Sequence, residues 1–115
     1  MSVILYGIKN CDSVKKAKKW LEKNHLNYDF VDVRDQPLAK SKVASWCSTA
    51  GWEKVLNKRS TTWKQLAQLD KSNLDQDSAI ALLVANPTLI KRPVLEFGAN
   101  TFVGFSEAQY QQIFH

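Results

Sequence analysis

The chain opens on Ser2-Val3-Ile4-Leu5-Tyr6, a β-branched and aromatic run that reads as a buried strand, and Gly7 breaks it. From Ser13 the pattern turns helical. Val14, Ala17 and Leu21 recur at i, i+3 and i+7, while Lys15, Lys16, Lys18, Lys19 and Lys23 take the polar positions. This helix is expected to end near Asn24. Tyr28-Asp29-Phe30-Val31-Asp32-Val33 then alternates as a second strand. A strand–helix–strand unit of this length implies parallel pairing through a right-handed crossover. Gln36-Pro37-Leu38 turns the chain.

Residues 39–87 change character and predict a block of three or four small helices. Ala39–Ala50 carries Val43, Trp46, Cys47 and Ala50 at helical spacing, and Gly51 stops it. Thr61 or Thr62 is a candidate cap for a helix through Leu69, and Asp77 or Ser78 for one over Ala79–Ala85, which Asn86-Pro87 ends. Beyond Arg92-Pro93, Val94-Leu95-Glu96-Phe97 reads as a third strand. Gly98-Ala99-Asn100 turns it into a fourth, Thr101-Phe102-Val103, as an antiparallel hairpin. Ser106 caps a last helix over Glu107–Phe114, and Gln109 completes a Ser-x-x-Gln capping box. The pattern is α/β: β-α-β, a helical insert, then β-β-α, without repeats or low-complexity segments.

A length of 115 residues supports one domain, 1–115, with the insert inside it. With 44% hydrophobic and 23% charged residues the chain has the composition of a globular protein, which excludes a disordered one. The longest apolar run, Ala79–Ala85, is far too short to span a membrane, and the N-terminus lacks a signal-peptide pattern, so a cytoplasmic location is expected. The only cysteines are Cys11 and Cys47, with no C-x-x-C, so no structural disulfide is expected. His25 and His115 are distant from both in sequence, and no metal is expected.

Charge changes the picture at one place. Within a formal net charge of +5, six lysines fall between positions 9 and 23, against Asp12 and Glu22. No aromatic residues are arranged there to stack on bases, so nucleic acid is not the expected partner. A positive field that draws anionic substrates toward Cys11 is a better use. Cys11 itself falls in the turn between the first strand and the first helix. Unpaired backbone N–H groups and the helix dipole favour negative charge there, which suits a thiolate. Asp12 or Ser13 is the expected helix cap, and Ser13 a possible donor to the sulfur. Cys47 shares a helix face with Val43 and Trp46 and reads as a packing residue.

In order along the chain come Leu5-Tyr6-Gly7-Ile8-Lys9-Asn10-Cys11-Asp12, Lys15-Lys16-Ala17, Trp20-Leu21, Leu56-Asn57-Lys58-Arg59, Lys91-Arg92-Pro93 and Gly104-Phe105-Ser106. Through these segments the chain resembles the ArsC/Spx family of thioredoxin-fold proteins, and within it the small YffB-type ArsC-like proteins of bacteria. The resemblance implies a four-stranded mixed sheet flanked by helices, with the insert as a small α-helical lobe. It implies Cys11 as nucleophile. The two arginines that bind the anionic substrate in arsenate reductases correspond to Arg59 and Arg92, and the cis-proline of thioredoxin folds to Pro93. Asn10, Asp12, Ser13, Lys15 and Pro93 would line the substrate or glutathione site. Two departures accompany the likeness. The third arginine of the glutaredoxin-linked arsenate reductases falls on Gly104, and the C-x-x-C usual in Spx regulators is here Cys11-Asp12-Ser13-Val14.

Two functional expectations follow from the resemblance. The first is a glutathione-dependent thiol reductase of arsenate reductase-like type. Cys11 would attack a mixed disulfide, or less readily a small anion such as arsenate, with an external thiol, glutathione or glutaredoxin, resolving the adduct. Such an enzyme would be a monomer with no bound cofactor. The second is an Spx-like regulator that docks on RNA polymerase or another protein without catalysis.

Overall fold

In the computed structural model, residues 2–114 are described; Met1 and His115, including the histidine set aside above as a metal ligand, lie outside them. Strands β1 (Val3–Gly7), β2 (Asp29–Asp32), β3 (Val94–Phe97) and β4 (Asn100–Val103) form one mixed sheet in the order β2-β1-β3-β4. β1 pairs with β2 in parallel, and β3 runs antiparallel to both β1 and β4. This is the four-stranded mixed sheet that the resemblance implies. The registers Gly7↔Asp32, Tyr6↔Val94 and Val94↔Val103 bring the ends of β1, β2 and β4 and the start of β3 to one edge.

Helix α1 (Asp12–Lys23) buries Val14, Ala17 and Leu21 and leaves its lysines largely outside. Those three pack with Val3, Leu5, Leu95 and Tyr110 into one apolar cluster. Tyr110 lies on the last helix, Glu107–Ile113, and its ring meets Trp20 edge-on at 5.6 Å and Phe105 at 4.7 Å. Such perpendicular pairs align ring edge with ring face, which the aromatic quadrupole favours.

The sequence pattern ends the first strand before Gly7, but β1 includes it. A Cβ built on Gly7 would lie 2.5 Å from Val14 Cγ2. Only a residue without a side chain lets the strand continue beneath the first turn of α1. Glycine therefore extends the strand here.

The chain divides into two compact units, one of residues 1–35 with 92–115 and one of residues 36–91. The second is helical. α2 (Lys40–Trp46) opens into a π-helical turn, Cys47–Gly51, and α3 (Trp52–Val55) follows. The single helix expected over 39–50 is thus interrupted, and Gly51 has a φ of +97°, a conformation costly for any residue with a Cβ. α4 (Thr61–Gln65) is capped by Ser60, whose Oγ accepts from Trp63 N, rather than by Thr61 or Thr62. It ends at Leu66, and α5 (Gln68–Lys71) is separate. α6 (Gln76–Ala85) is capped by Asp75, not Asp77 or Ser78. Asp75 Oδ1 accepts from Ser78 N and Ser78 Oγ from Asp75 N, each at 2.9 Å, so Ser78 closes the box from inside the helix. Val43 and Trp46 of α2 and Ala79, Ile80 and Leu83 of α6 are buried where these two helices pack. The last helix of the chain, α7 (Glu107–Ile113), has only half the expected box: Ser106 Oγ accepts from Gln109 N at 3.1 Å.

Candidate functional site

Cys11 occupies the N-cap position of α1, with extended backbone, and its N–H donates to Ile8 O at 3.2 Å. No side chain caps this helix. Asp12 is the first helical residue and Ser13 the second, so neither stands where an N-cap acceptor must, one residue before the first helical turn. The sulfur-bearing residue takes that place itself. Backbone donors that a cap would otherwise satisfy are left beside it, and the dipole favours an anion there. Cys11 is half-buried and packs against the apolar cluster, while Asn10, Asp12, Ser13 and Lys15 around it are exposed.

The loop that carries Cys11 is fastened by a residue that the sequence reading passed over. Asp32, 5% exposed at the end of β2, accepts from Lys9 N at 3.1 Å and from Arg34 N at 2.9 Å. Burial alone would push its carboxyl up. The two backbone donors and the Arg34 guanidinium, 3.7 Å away, outweigh that and hold it below its ordinary value. Its one sequence signal is an acid inside the apolar run Val31-Asp32-Val33. A carboxyl held lower in the folded chain than in the unfolded one stabilises above its unfolded value, about 3.9, and loses that contribution as pH falls through the folded value. Asp32→Asn should therefore flatten the acid limb. In urea melts run from about pH 6 down to about pH 2, wild type should lose stability more steeply than the variant. Parallel curves would remove Asp32 as the fastening group.

Arg92 and Pro93 arrive at the same edge from the other direction. Since Tyr6 pairs with Val94, the next step of the ladder sets Pro93 beside Gly7, where β1 leads into the Cys11 loop. The Arg92–Pro93 peptide bond is cis. Pro93 is buried and Arg92 half-buried. Pro93 O accepts from Gly104 N at 2.8 Å, which ties the segment after β4 to this edge. Gly104, where the resemblance sets a third arginine, has a φ of +82°.

Arg59 belongs to the helical unit. It is exposed on a turn in which Asn57 Oδ1 accepts its N–H at 3.0 Å and Asn57 O accepts from Ser60 N at 3.2 Å. Of the residues proposed from the sequence, the sheet edge therefore gathers Cys11, its neighbours in the loop and first turn, Arg92 and Pro93, and Arg59 stands on the other unit. Cys47 is 2% exposed, and burial pushes its thiol up. Both cysteines are free thiols. Among the described residues no cluster of three or more His, Cys, Asp or Glu is placed to hold a metal, and no helix is long and apolar enough to cross a membrane.

A family model described as the ArsC family matches residues 6–113. The chain belongs to the ArsC family. Among its ArsC relatives, an uncharacterized protein of Haemophilus influenzae is 41% identical over 112 residues, covering 97% of this chain and 98% of the relative. The global transcriptional regulator Spx of Lactiplantibacillus plantarum is 26% identical, covering 96% of this chain and 84% of the regulator. The solved structure of the YffB protein superposes with a TM-score of 0.93 at 42% identity, covering 96% of this chain and 97% of that one. An arsenate reductase (ArsC) related protein from Brucella melitensis gives 0.78 at 43% identity, covering 99% and 95%. In this ArsC-family chain the Cys11 loop follows β1 of the four-stranded mixed sheet.

Proposed function

We propose that the chain is a glutathione-dependent thiol oxidoreductase acting on mixed disulfides. The observation that carries this reading is the position of Cys11, half-exposed at the N-cap of α1 with no side chain competing for the helix's free donors. In the first step the Cys11 thiolate attacks the glutathione sulfur of a mixed disulfide R–S–S–G. A Cys11–glutathione disulfide forms and RS⁻ leaves, taking up a proton from water. A second glutathione thiolate then attacks the glutathione sulfur of that adduct, releasing oxidised glutathione and regenerating Cys11. The net reaction is R–S–S–G + GSH → R–SH + GSSG, in which one free glutathione thiol is consumed and the disulfide passes from the substrate to oxidised glutathione. With no second cysteine at position 14, an external thiol must resolve the adduct, and a reducing compartment such as the cytoplasm supplies one.

Arg92 would bind a carboxylate or an oxyanion through its planar fork, a role for which the resemblance also offers Arg59. Lys15 and the exposed Asn10, Asp12 and Ser13 would border the bound thiol, with Pro93 beneath it. Gly104 favours a disulfide over arsenate, because the third cation of an oxyanion clamp is absent there. The adduct is the test. Mixing the protein with oxidised glutathione, followed by digestion and mass spectrometry, should show a glutathionyl group on Cys11 and not on Cys47. An adduct confined to Cys47, or none, defeats the proposal.

A second reading, a regulator that docks on RNA polymerase or another protein, is favoured by the Spx relative. Failure of an immobilised chain to retain any polymerase subunit from bacterial extract would count against that form of it.

A further inference from the structure

A cavity of about 530 Å³ opens between α1 and the segment that leads into α7, and of the residues assigned to the thiol site it shares Ser13 alone. Three of its walls are lysines, Lys16, Lys19 and Lys23, which share one face of α1 at spacings of three and four residues. All three are exposed, and among the described residues none is in an ion pair. Glu107 is the one acid at the rim. The apolar wall consists of Trp20 and Phe105, both half-buried. Each ring stands edge-on against the fully buried Tyr110, so this surface is fixed before anything binds.

We propose that this cavity receives an acidic peptide segment of a protein partner, with one apolar or aromatic side chain seated on Trp20 and Phe105. Charge and length select that occupant. At about 1.5 Å of rise per residue, the three lysines extend over roughly 10 Å of helix, too long a row for one carboxylate or phosphate. An extended peptide presents alternate side chains on one face about 6.6 Å apart, so two or three carboxylates match the row. Lysine ammoniums are point charges that suit separate carboxylates better than one planar group. Single-stranded nucleic acid would bring matching charge, but it binds by stacking successive bases on open ring faces. The cavity offers only two rings, Trp20 and Phe105, no row of platforms for successive bases, and the Glu107 carboxylate repels a phosphate backbone.

Binding here needs no thiol chemistry, so it goes beyond the oxidoreductase reading and stands or falls separately. The probe is a fluorescein-labelled peptide of alternating glutamates around one phenylalanine, followed by anisotropy at low salt. A glutamine version of the peptide and a thymidine oligonucleotide serve as competing probes. Lys16→Gln/Lys19→Gln/Lys23→Gln should weaken the acidic peptide at least tenfold. Lys40→Gln/Lys54→Gln/Lys64→Gln, which removes equal charge from exposed positions of the helical unit, should change it less than threefold. In the wild-type protein the indole N–H resonance of Trp20 should shift on titration, a readout independent of any variant. Cys11→Ser should bind as wild type does, so loss of the oxidoreductase reading would leave this one intact. Equal weakening in both triple variants, tighter binding of the oligonucleotide than of the peptide, or a Trp20 resonance that does not move would overturn the proposal.

Discussion

Cys11→Ser should abolish reduction of a glutathionylated peptide, with kcat/KM falling by on the order of 10³-fold or more, the scale seen when a covalent nucleophile is removed. A serine hydroxyl at the helix N-cap is too weak an acid to be present as an alkoxide. Cys47 cannot substitute. It is 2% exposed, and burial keeps it in the thiol form, which does not attack disulfides. Cys47→Ser should therefore retain activity within about threefold, although burying a hydroxyl there costs about 1–3 kcal/mol and the fold must be checked alongside. Steady-state rates of both variants, measured with the same glutathionylated peptide, decide the matter. A Cys11→Ser protein that turns over normally would end the mechanism.

Gly7→Ala should destabilise the protein by about 1–3 kcal/mol, the usual cost of forcing a methyl into a packed site. The new Cβ would lie 2.5 Å from Val14 Cγ2, and a β-branched side chain on a helix has almost no other rotamer to retreat to. Either β1 or the first turn of α1 must move, and that turn carries Cys11. Val14→Ala on its own leaves a cavity and also destabilises. Combined with Gly7→Ala, however, it removes the clashing atom. The double variant should be less destabilised than the sum of the two singles, and a thermodynamic cycle from denaturant melts measures the coupling. Strict additivity would mean that the strand and the helix do not meet through this pair.

Much of the fold was legible because its elements carry their own periodicity. The lysine-backed face of α1 and the Val94–Phe97 strand were placed correctly from side-chain pattern alone. The misreadings share a cause, which is that a neighbour in space overrode local preference. Gly7 reads as a breaker until Val14 shows why the strand requires it. Asp77 and Thr61 have the chemistry of caps, yet Asp75 and Ser60 have both the chemistry and the geometry. The π-helical turn at Cys47–Gly51 leaves no mark in a helical wheel. The placement of Cys11 between β1 and α1 was legible from the strand–turn–helix pattern. Asp32 was not, since a single acid in a strand resembles any outward-facing residue until its two backbone donors are seen. The cavity beside α1 escaped for the same reason, as Phe105 and Trp20 are far apart in sequence and both pack on Tyr110.

Gly104 sets a limit on how this protein can diverge. Its left-handed backbone, φ +82°, holds its N–H on Pro93 O, and any side chain introduced there meets a penalty of about 1–2 kcal/mol before it makes a single contact. An arginine at position 104 would need the backbone to relax, and relaxation would loosen the bond to Pro93 at the edge that carries Cys11. Change at this edge is therefore channelled past Gly104, and past Ser106, whose Oγ caps α7, to the exposed Glu107.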